Sequence, residues 1–432
     1  MKFIINGGKQ LNGEIKLAGA KNAATKMLVA SILTAEPCVL ENFPEIGDAQ
    51  ITQELCRSIG SEITVADGVL TIRTPEIKTS KVVSLSRRNR IPILALGPLL
   101  ARVGEAEVPI LGGDKIGPRP VDIHIDALTA MGAKIEILPD RYVASAPNGL
   151  HGTKIELRYP SVGATENTIL AAVLAAGRTV IHNAAIEPEI TDLIEMLQKM
   201  GAIIELGANR VIYIDGVKKL HGATHRIMPD RNEAVSFACL AVATGGKILV
   251  KEARQEDLIT FLNTLRRVGG EYEVIKGGIL FFKPNSEPLK PAVIETDTHP
   301  GFMTDWQQPL AVLLTQANGA STIHETVYED RFGYAQDLNL MGADIKVETR
   351  CLGELPCRFK NRGFNHSAFV AGPKELRPAQ LVVRDLRSGI AHIIVALIAK
   401  GESVIEGVEE IDRGYERIDE RLRQLGADIR RM

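Results

Sequence analysis

No apolar run in this chain is long enough to cross a bilayer; the longest, near 91–101 and 393–399, stop well short of the ~20 residues a spanning helix needs. Cysteine is scarce as well. The five residues Cys38, Cys56, Cys239, Cys351 and Cys357 form no CxxC pair. An odd count without a secretory signal speaks against a disulfide framework and for a cytoplasmic protein. Cys38, Cys56 and Cys239 lie in apolar, helix-like stretches that suit buried thiols. Cys351 and Cys357 are two possible metal ligands without evident partners, a weak case for a metal. Excess charge of either sign is also missing. The net charge of −2 argues against nucleic acid as the main partner, so any basic site must be local.

What the chain does have is length and repetition. Its 432 residues, 45% apolar and 24% charged, suit a globular protein of two domains. A short apolar-Gly-small element followed by strand-like residues recurs six times, at Gly60, Gly132, Gly201, Gly269, Gly342 and Gly426. The spacings are 72, 69, 68, 73 and 84 residues. Each copy follows an amphipathic stretch, so the glycine reads as a left-handed helix cap before a strand. A second series is interleaved with it: AATKMLVASILTA, IPILALGPLLA, TENTILAAVLAA, EAVSFACLAVA, DWQQPLAVLLTQA and GIAHIIVALIA. These helices are apolar over most of their circumference and should be buried.

Each unit therefore reads strand, buried helix, strand, outer helix and two strands. Six such units fit two α/β domains of three repeats each. The expected division is 22–228 for the first domain and 1–21 with 229–432 for the second. In this reading KFIING and GEIKLAG both complete the sheet of the last unit. The longest spacing points to an inserted loop or hairpin at 351–376.

Candidate chemistry gathers where the helices begin. Lys21 with Asn22, Arg90, Asp230 with Arg231, Thr304 with Asp305, and Asp385 with Arg387 stand at the starts of buried helices; the third copy offers only Ser161, Val162, Gly163, Ala164 and Thr165. Arg119, Arg331 and Arg413 are expected to open outer helices. A cation at a helix N-terminus is disfavoured by about 0.3–1 kcal/mol, and a bound anion reverses that sign. The stretch LGGDKIGPRPVDIH reads as a Gly-rich loop carrying Asp114, with Pro120 in the first helical position before Val121, Asp122 and Ile123. Asp114 and Asp305 against a basic background suggest general acid–base work on an anionic substrate. For any one of these residues a plain helix-start role is the simpler reading; their recurrence at equivalent repeat positions favours a site. Glu187 and Glu189 look like helix-start residues, with lining of a cleft the alternative for Glu187, and a structural role fits His124 and His299 best.

GAKNAA, GGDKIGPRPVDIH, SVGATEN, NAAIEPEI, MPDR, TDWQ, ETVYEDRF, RDLRSG and DRGYERI run in order from end to end. Together they resemble the UDP-N-acetylglucosamine 1-carboxyvinyltransferase family of enolpyruvyl transferases. The resemblance implies two inside-out α/β barrels, helices inside and sheets outside, with the active site in an interdomain cleft. It implies transfer of enolpyruvate from phosphoenolpyruvate to the 3′-hydroxyl of UDP-N-acetylglucosamine, the first committed step of peptidoglycan and cell-wall synthesis, without metal or organic cofactor. Lys21, Asn22, Arg119, Arg331, Arg387 and Arg413 would bind phosphoenolpyruvate. Asn22, Arg90, Arg119, Pro120, Val121, Asp122, Ile123, Ser161, Val162, Gly163, Asp305 and Val327 would bind the sugar nucleotide. Asp305 would take the hydroxyl proton, Asp114 would protonate C3 of phosphoenolpyruvate, and Lys21 and Arg413 would serve the departing phosphate.

Three departures accompany the resemblance. Asp114 stands where most members carry cysteine, which predicts insensitivity to the epoxide fosfomycin. NRIPI replaces the usual MRAS around Arg90, and the 351–376 insertion is unusual. A 5-enolpyruvylshikimate-3-phosphate synthase-like enzyme and an inactive sugar-nucleotide-binding paralogue are the alternatives.

Overall fold

Six glycines shape the chain. In this computed structural model, which describes residues 1–432 except 83, 88, 111, 113–116, 118, 119, 285 and 286, Gly60, Gly132, Gly201, Gly269, Gly342 and Gly426 all have φ between 93° and 121°. Side-chain-bearing residues rarely adopt that conformation. The residue after each glycine donates its N–H five residues back: Ser61 to Cys56, Ala133 to Leu128, Ala202 to Leu197, Gly270 to Leu265, Ala343 to Leu338 and Ala427 to Leu422, at 2.9–3.1 Å. This is the Schellman closure that satisfies last-turn carbonyls. It turns each outer helix into the next strand at the same angle, and the repeat follows.

The chain divides into two compact units, Met1–Ala18 with Pro229–Met432, and Gly19–Gly113 with Pro120–Met228. Each has its own apolar core. In the first, helices Arg231–Ala243, Gln307–Leu314 and Leu386–Ile398 pack on one another; in the second, Lys21–Ala30, the Ile91–Ala95 turn leading into Leu96–Val103, and Val162–Ala172 do so. Every residue from Arg231 to Val242 is buried, as the apolar circumference requires. Outer helices bury one face only: Pro188–Lys199 sinks Ile190, Leu193, Ile194 and Leu197 and exposes Glu195. The fold is thus α/β with helices inside and sheets outside.

Outside the two sheets that hold Asn12–Lys16 and Thr224–Arg226, each sheet pairs the strand before a central helix in parallel with the strand after it, then adds two antiparallel strands. Val293–Glu295, Gly319–His324, Ser367–Gly372 and Asp344–Glu348 follow that order, as do Lys154–Glu156, Arg178–His182, Val211–Asp215 and Ile203–Gly207. In the second repeat the leading strand is represented, among the described residues, by one parallel bridge, Lys81 to Glu107.

The N-terminal strands correct the expectation that both join the last unit. Lys2–Gly7 does so, lying between Gly401–Glu406 and Asp428–Arg431. Asn12–Lys16 instead pairs in parallel with Lys247–Lys251, in the sheet of the fourth repeat. Thr224–Arg226 makes the corresponding pairing with Cys38–Glu41. The two strands that lead into the crossings at 18–19 and 228–229 thus hold equivalent places, each starting a sheet whose central helix comes later or earlier in the chain. The insertion is also shorter than expected, because Ser367–Gly372 is a regular strand. Among the described residues no helix is long and apolar enough to cross a membrane.

Candidate active site

In the unit formed by 1–18 and 229–432, three expected residues meet. Asp305 lies in the Thr304–Trp306 turn that leads into Gln307–Leu314. Its Oδ1 accepts from Arg331 Nη2, and its Oδ2 accepts from Arg387 Nε at 3.0 Å. Both arginines are about 5% exposed. Burial is the largest influence on each guanidinium and opposes its charge, yet Asp305, together with Asp385 and Glu325 around Arg331 and with Tyr415 and Asp230 around Arg387, holds both above the ordinary arginine range. Asp385 caps the helix that carries Arg387, accepting from the Arg387 and Ser388 N–H groups at 3.0 Å. Arg387 Nη1 reaches the Tyr415 hydroxyl at 3.4 Å, while Nη2 has no hydrogen-bond partner among the described residues. A buried cationic donor left over in this way suits an anionic ligand.

The residue that fixes this geometry was not visible in the sequence. Glu325 is fully buried. Its Oε2 accepts from Thr304 Oγ1 at 2.8 Å and from Gln307 Nε2; its Oε1 accepts from the Val327 and Tyr328 N–H groups at 2.7 and 3.0 Å. One carboxylate therefore ties the Asp305 turn to the segment carrying Val327 and Arg331. Gln308, with its amide oriented to satisfy both ends, accepts from Arg331 Nε at 2.6 Å and donates to the Asp305 carbonyl at 3.2 Å. Trp306 Nε1 donates to Asn232 Oδ1 at 3.1 Å, and the Arg231 guanidinium lies 5.5 Å from the Trp306 ring centre. Neither Arg331 nor Arg413 opens a helix as expected: Arg331 lies two residues before Gly333, the cap of Tyr334–Leu340. Arg413 sits in the turn between Val408–Ile411 and Ile418–Gln424 and donates to Glu410 at 2.9 Å.

In the unit formed by 19–113 and 120–228, Lys21 is the first residue of its helix and pairs with Asp48 at 2.8 Å, both largely buried. Lys26, one turn on, donates to the Asn22 carbonyl at 2.8 Å and faces Glu166 at 3.8 Å. Glu166, a second residue passed over in the sequence, is 1% exposed, and neither oxygen has a hydrogen-bond partner among the described residues. Burial raises it to about 7; Lys26 counters that, while Glu189 and Glu187 add to it. Arg90 precedes the Ile91–Ala95 turn. The helix after the loop starts at Asp122, so Val121 takes the flanking position and Pro120 lies outside. Asp122 pairs with Arg158. Ser161 caps Val162–Ala172 by accepting from the Ala164 N–H at 3.4 Å. A Cβ on Gly163 would lie 3.0 Å from His124 Cε1, so a side chain there would have to push the imidazole back by a few tenths of an ångström. His124 is buried against Asn167 and its pKa is driven down to about 3, mainly by burial, so it is neutral and structural. Asp114 and Arg119 lie outside the described residues.

This arrangement has relatives. The family model for EPSP synthase (3-phosphoshikimate 1-carboxyvinyltransferase) matches residues 5–422. The enolpyruvyl transferase NikO from Streptomyces tendae superposes with a TM-score of 0.86 at 23% identity, covering 99% of this chain and 98% of its own. EPSP synthase from Acinetobacter baumannii gives 0.71 at 18%, with both chains fully covered. The chain belongs to the enolpyruvyl transferase family. Within it, the sequence is 50% identical to a UDP-N-acetylglucosamine 1-carboxyvinyltransferase of Protochlamydia amoebophila over 98% of this chain and 93% of that one. Its counterpart from Chlamydia abortus is also 50% identical (98% and 96% covered), and that from Novosphingobium aromaticivorans 42% (100% and 99%).

Proposed function

We propose that this protein transfers the enolpyruvyl group of phosphoenolpyruvate to the 3′-hydroxyl of UDP-N-acetylglucosamine in the cytoplasm, opening peptidoglycan synthesis. The observation that carries the reading is Asp305 held between Arg331 and Arg387, in a chain half identical to relatives named for that reaction. Arg331 and Arg387, with Arg413, bind the carboxylate of phosphoenolpyruvate. Lys21, Arg119 and Arg413 bind its phosphate, with Asn22 beside Lys21. Arg90, Pro120, Val121, Asp122, Ile123, Ser161, Val162, Gly163 and Val327 hold the sugar nucleotide together with Asn22, Arg119 and Asp305.

The ion pairs suggest a sequence of events. Both Asp305 oxygens are engaged by guanidiniums, so Asp305 acts as a base only after one of them turns to another anion. The carboxylate of phosphoenolpyruvate is that anion. Its arrival draws Arg387 or Arg331 away and frees an oxygen for the 3′-hydroxyl proton. Protonation of C3 by Asp114 makes C2 electrophilic, and the sugar oxygen adds to it. Loss of a C3 proton and of phosphate then leaves the enol ether.

Acceptor choice tests the reading. Phosphate release should require UDP-N-acetylglucosamine and give a product heavier by one enolpyruvyl group. Release with shikimate 3-phosphate in its place would reassign the chain to the sister activity, and release with neither would leave only binding. Asp114 predicts a further outcome. A carboxylate is a far weaker nucleophile than a thiolate, so fosfomycin should leave the intact mass unchanged. Asp114→Cys should keep turnover and gain a drug adduct, whereas Asp114→Asn should lose most turnover. Covalent labelling of the wild type would remove Asp114 from this role.

A further inference from the structure

The connection between strands Asp344–Glu348 and Ser367–Gly372 spans 349–366 and contains no helix or strand. Antiparallel neighbours are usually joined by two to five residues, and structureless loops beyond about 12–15 need something to hold them. Here the holding groups are metal-ligand side chains. Cys351 and Cys357 from the loop, His366 from its end and His324 from the adjacent strand place one ligand atom each so that all four lie within 4.8 Å of one another. His324 and His366 are fully buried.

Both imidazoles are oriented as ligands require. His324 Nδ1 lies 2.8 Å from Ser367 Oγ, leaving a buried Nε2 with no hydrogen-bond partner among the described residues. His366 Nδ1 lies 2.6 Å from the Phe364 carbonyl, which directs its Nε2 to Cys351 Sγ at 3.3 Å. The Phe359 N–H points at Cys357 Sγ at 3.4 Å and fixes the direction of that thiol. Outer hydrogen bonds of this kind fix the tautomer and direction of metal-binding histidines. The buried Phe359 ring packs edge-on against His366. A Cβ on Gly353 would come within 2.5 Å of His324 Cδ2, so the loop backbone lies directly on that ring.

The geometry points to a structural zinc site formed by His324, Cys351, Cys357 and His366. Zn–S and Zn–N bonds of about 2.3 and 2.0 Å set tetrahedral ligand separations of roughly 3.3–3.8 Å, within reach of the observed cluster after sub-ångström adjustment. Two thiols release two protons on binding, and the thiolates balance the charge of the ion. Two soft and two imidazole ligands in tetrahedral reach select zinc over magnesium or calcium. Four protein ligands leave no open position, so the ion is structural and takes no part in the reaction.

The site also bears on the substrate segment. Arg358, next to Cys357, donates from Nη2 to the Val327 carbonyl and from Nε to the Thr326 carbonyl at 3.4 Å. Glu295 accepts from the Glu354 N–H and from the Leu355 N–H at 2.8 Å. The metal thus clamps the loop onto the strand end that carries Val327.

Metal analysis of untagged protein purified without chelator should find about one zinc per chain. Cobalt exchanged into the site should show tetrahedral d–d bands and a thiolate charge-transfer band. Cys351→Ser and His324→Ala should lose the zinc and the bands, while Cys239→Ser, in the buried helix Arg231–Ala243 and outside the cluster, should keep both. Chelation should lower the melting temperature by several degrees. Wild-type protein holding under a tenth of a zinc after incubation with zinc and dialysis, with no cobalt bands, would overturn the proposal; so would a Cys351–Cys357 disulfide in freshly purified protein. If the variants fail to fold, the wild-type zinc content and cobalt spectrum decide alone. A rise in the KM for UDP-N-acetylglucosamine on chelation rests on the functional reading above; the metal readouts do not.

Discussion

Asp305 shows how burial changes the expected cost of a substitution. As a helix-start residue it would lose about 0.5–2 kcal/mol on truncation to alanine. With Arg331 and Arg387 both buried against it, truncation strands two guanidiniums, and breaking a buried pair costs about 3–5 kcal/mol. Asp305→Ala should therefore lose turnover together with at least about 3 kcal/mol in denaturant unfolding; a loss under 1 kcal/mol would mean the ion pairs contribute little. Glu166 gives the pH counterpart. Its acid form is favoured in the folded protein, so its contribution is complete below about 4.5 and is lost as the pH rises through about 7. Glu166→Gln should match the wild type near pH 4.5 and exceed it at pH 8, by up to roughly 3 kcal/mol. Equal stability across that range would show Lys26 already compensating the charge. Neither residue's environment was legible in advance: nothing local distinguishes a buried carboxylate from a solvated one, whereas Lys21, Arg331 and Arg387 stood out by repeating at equivalent positions.

The element scale separates what local chemistry encodes from what pairing decides. The six Gly-terminated helices could be read directly, because a left-handed cap is specified by the glycine and its two neighbours. The partner of Asn12–Lys16 could not, since strand–strand choice depends on residues more than 200 positions away. The same holds for Glu325, whose four donors come from two segments. Glu325→Gln replaces an acceptor oxygen by a donor amide and leaves at least one buried partner unpaired, at about 1–3 kcal/mol each. Thermal unfolding should register that loss. Because the tie between the Asp305 turn and Val327 is broken, the KM for UDP-N-acetylglucosamine should also rise at least several-fold. Unchanged kinetics with reduced stability would confine Glu325 to folding.

At the scale of the molecule, the double crossing makes the two units unequal as fragments. Residues 19–228 are continuous and contain a complete core. Residues 229–432 lack Lys2–Gly7, the strand that lies between two others in the last sheet. The 19–228 fragment should fold cooperatively on its own, and 229–432 should do so only when 1–18 is supplied, as followed by circular dichroism and amide exchange; independent folding of 229–432 would contradict this. Turnover in deuterium oxide reads the chemistry of the whole chain. Addition–elimination protonates C3 of phosphoenolpyruvate and then removes a proton from it. One phosphate should be released per enolpyruvyl-UDP-N-acetylglucosamine formed, with solvent deuterium at the vinyl carbon by mass spectrometry. Product without deuterium, or no phosphate release with both substrates present, would contradict it.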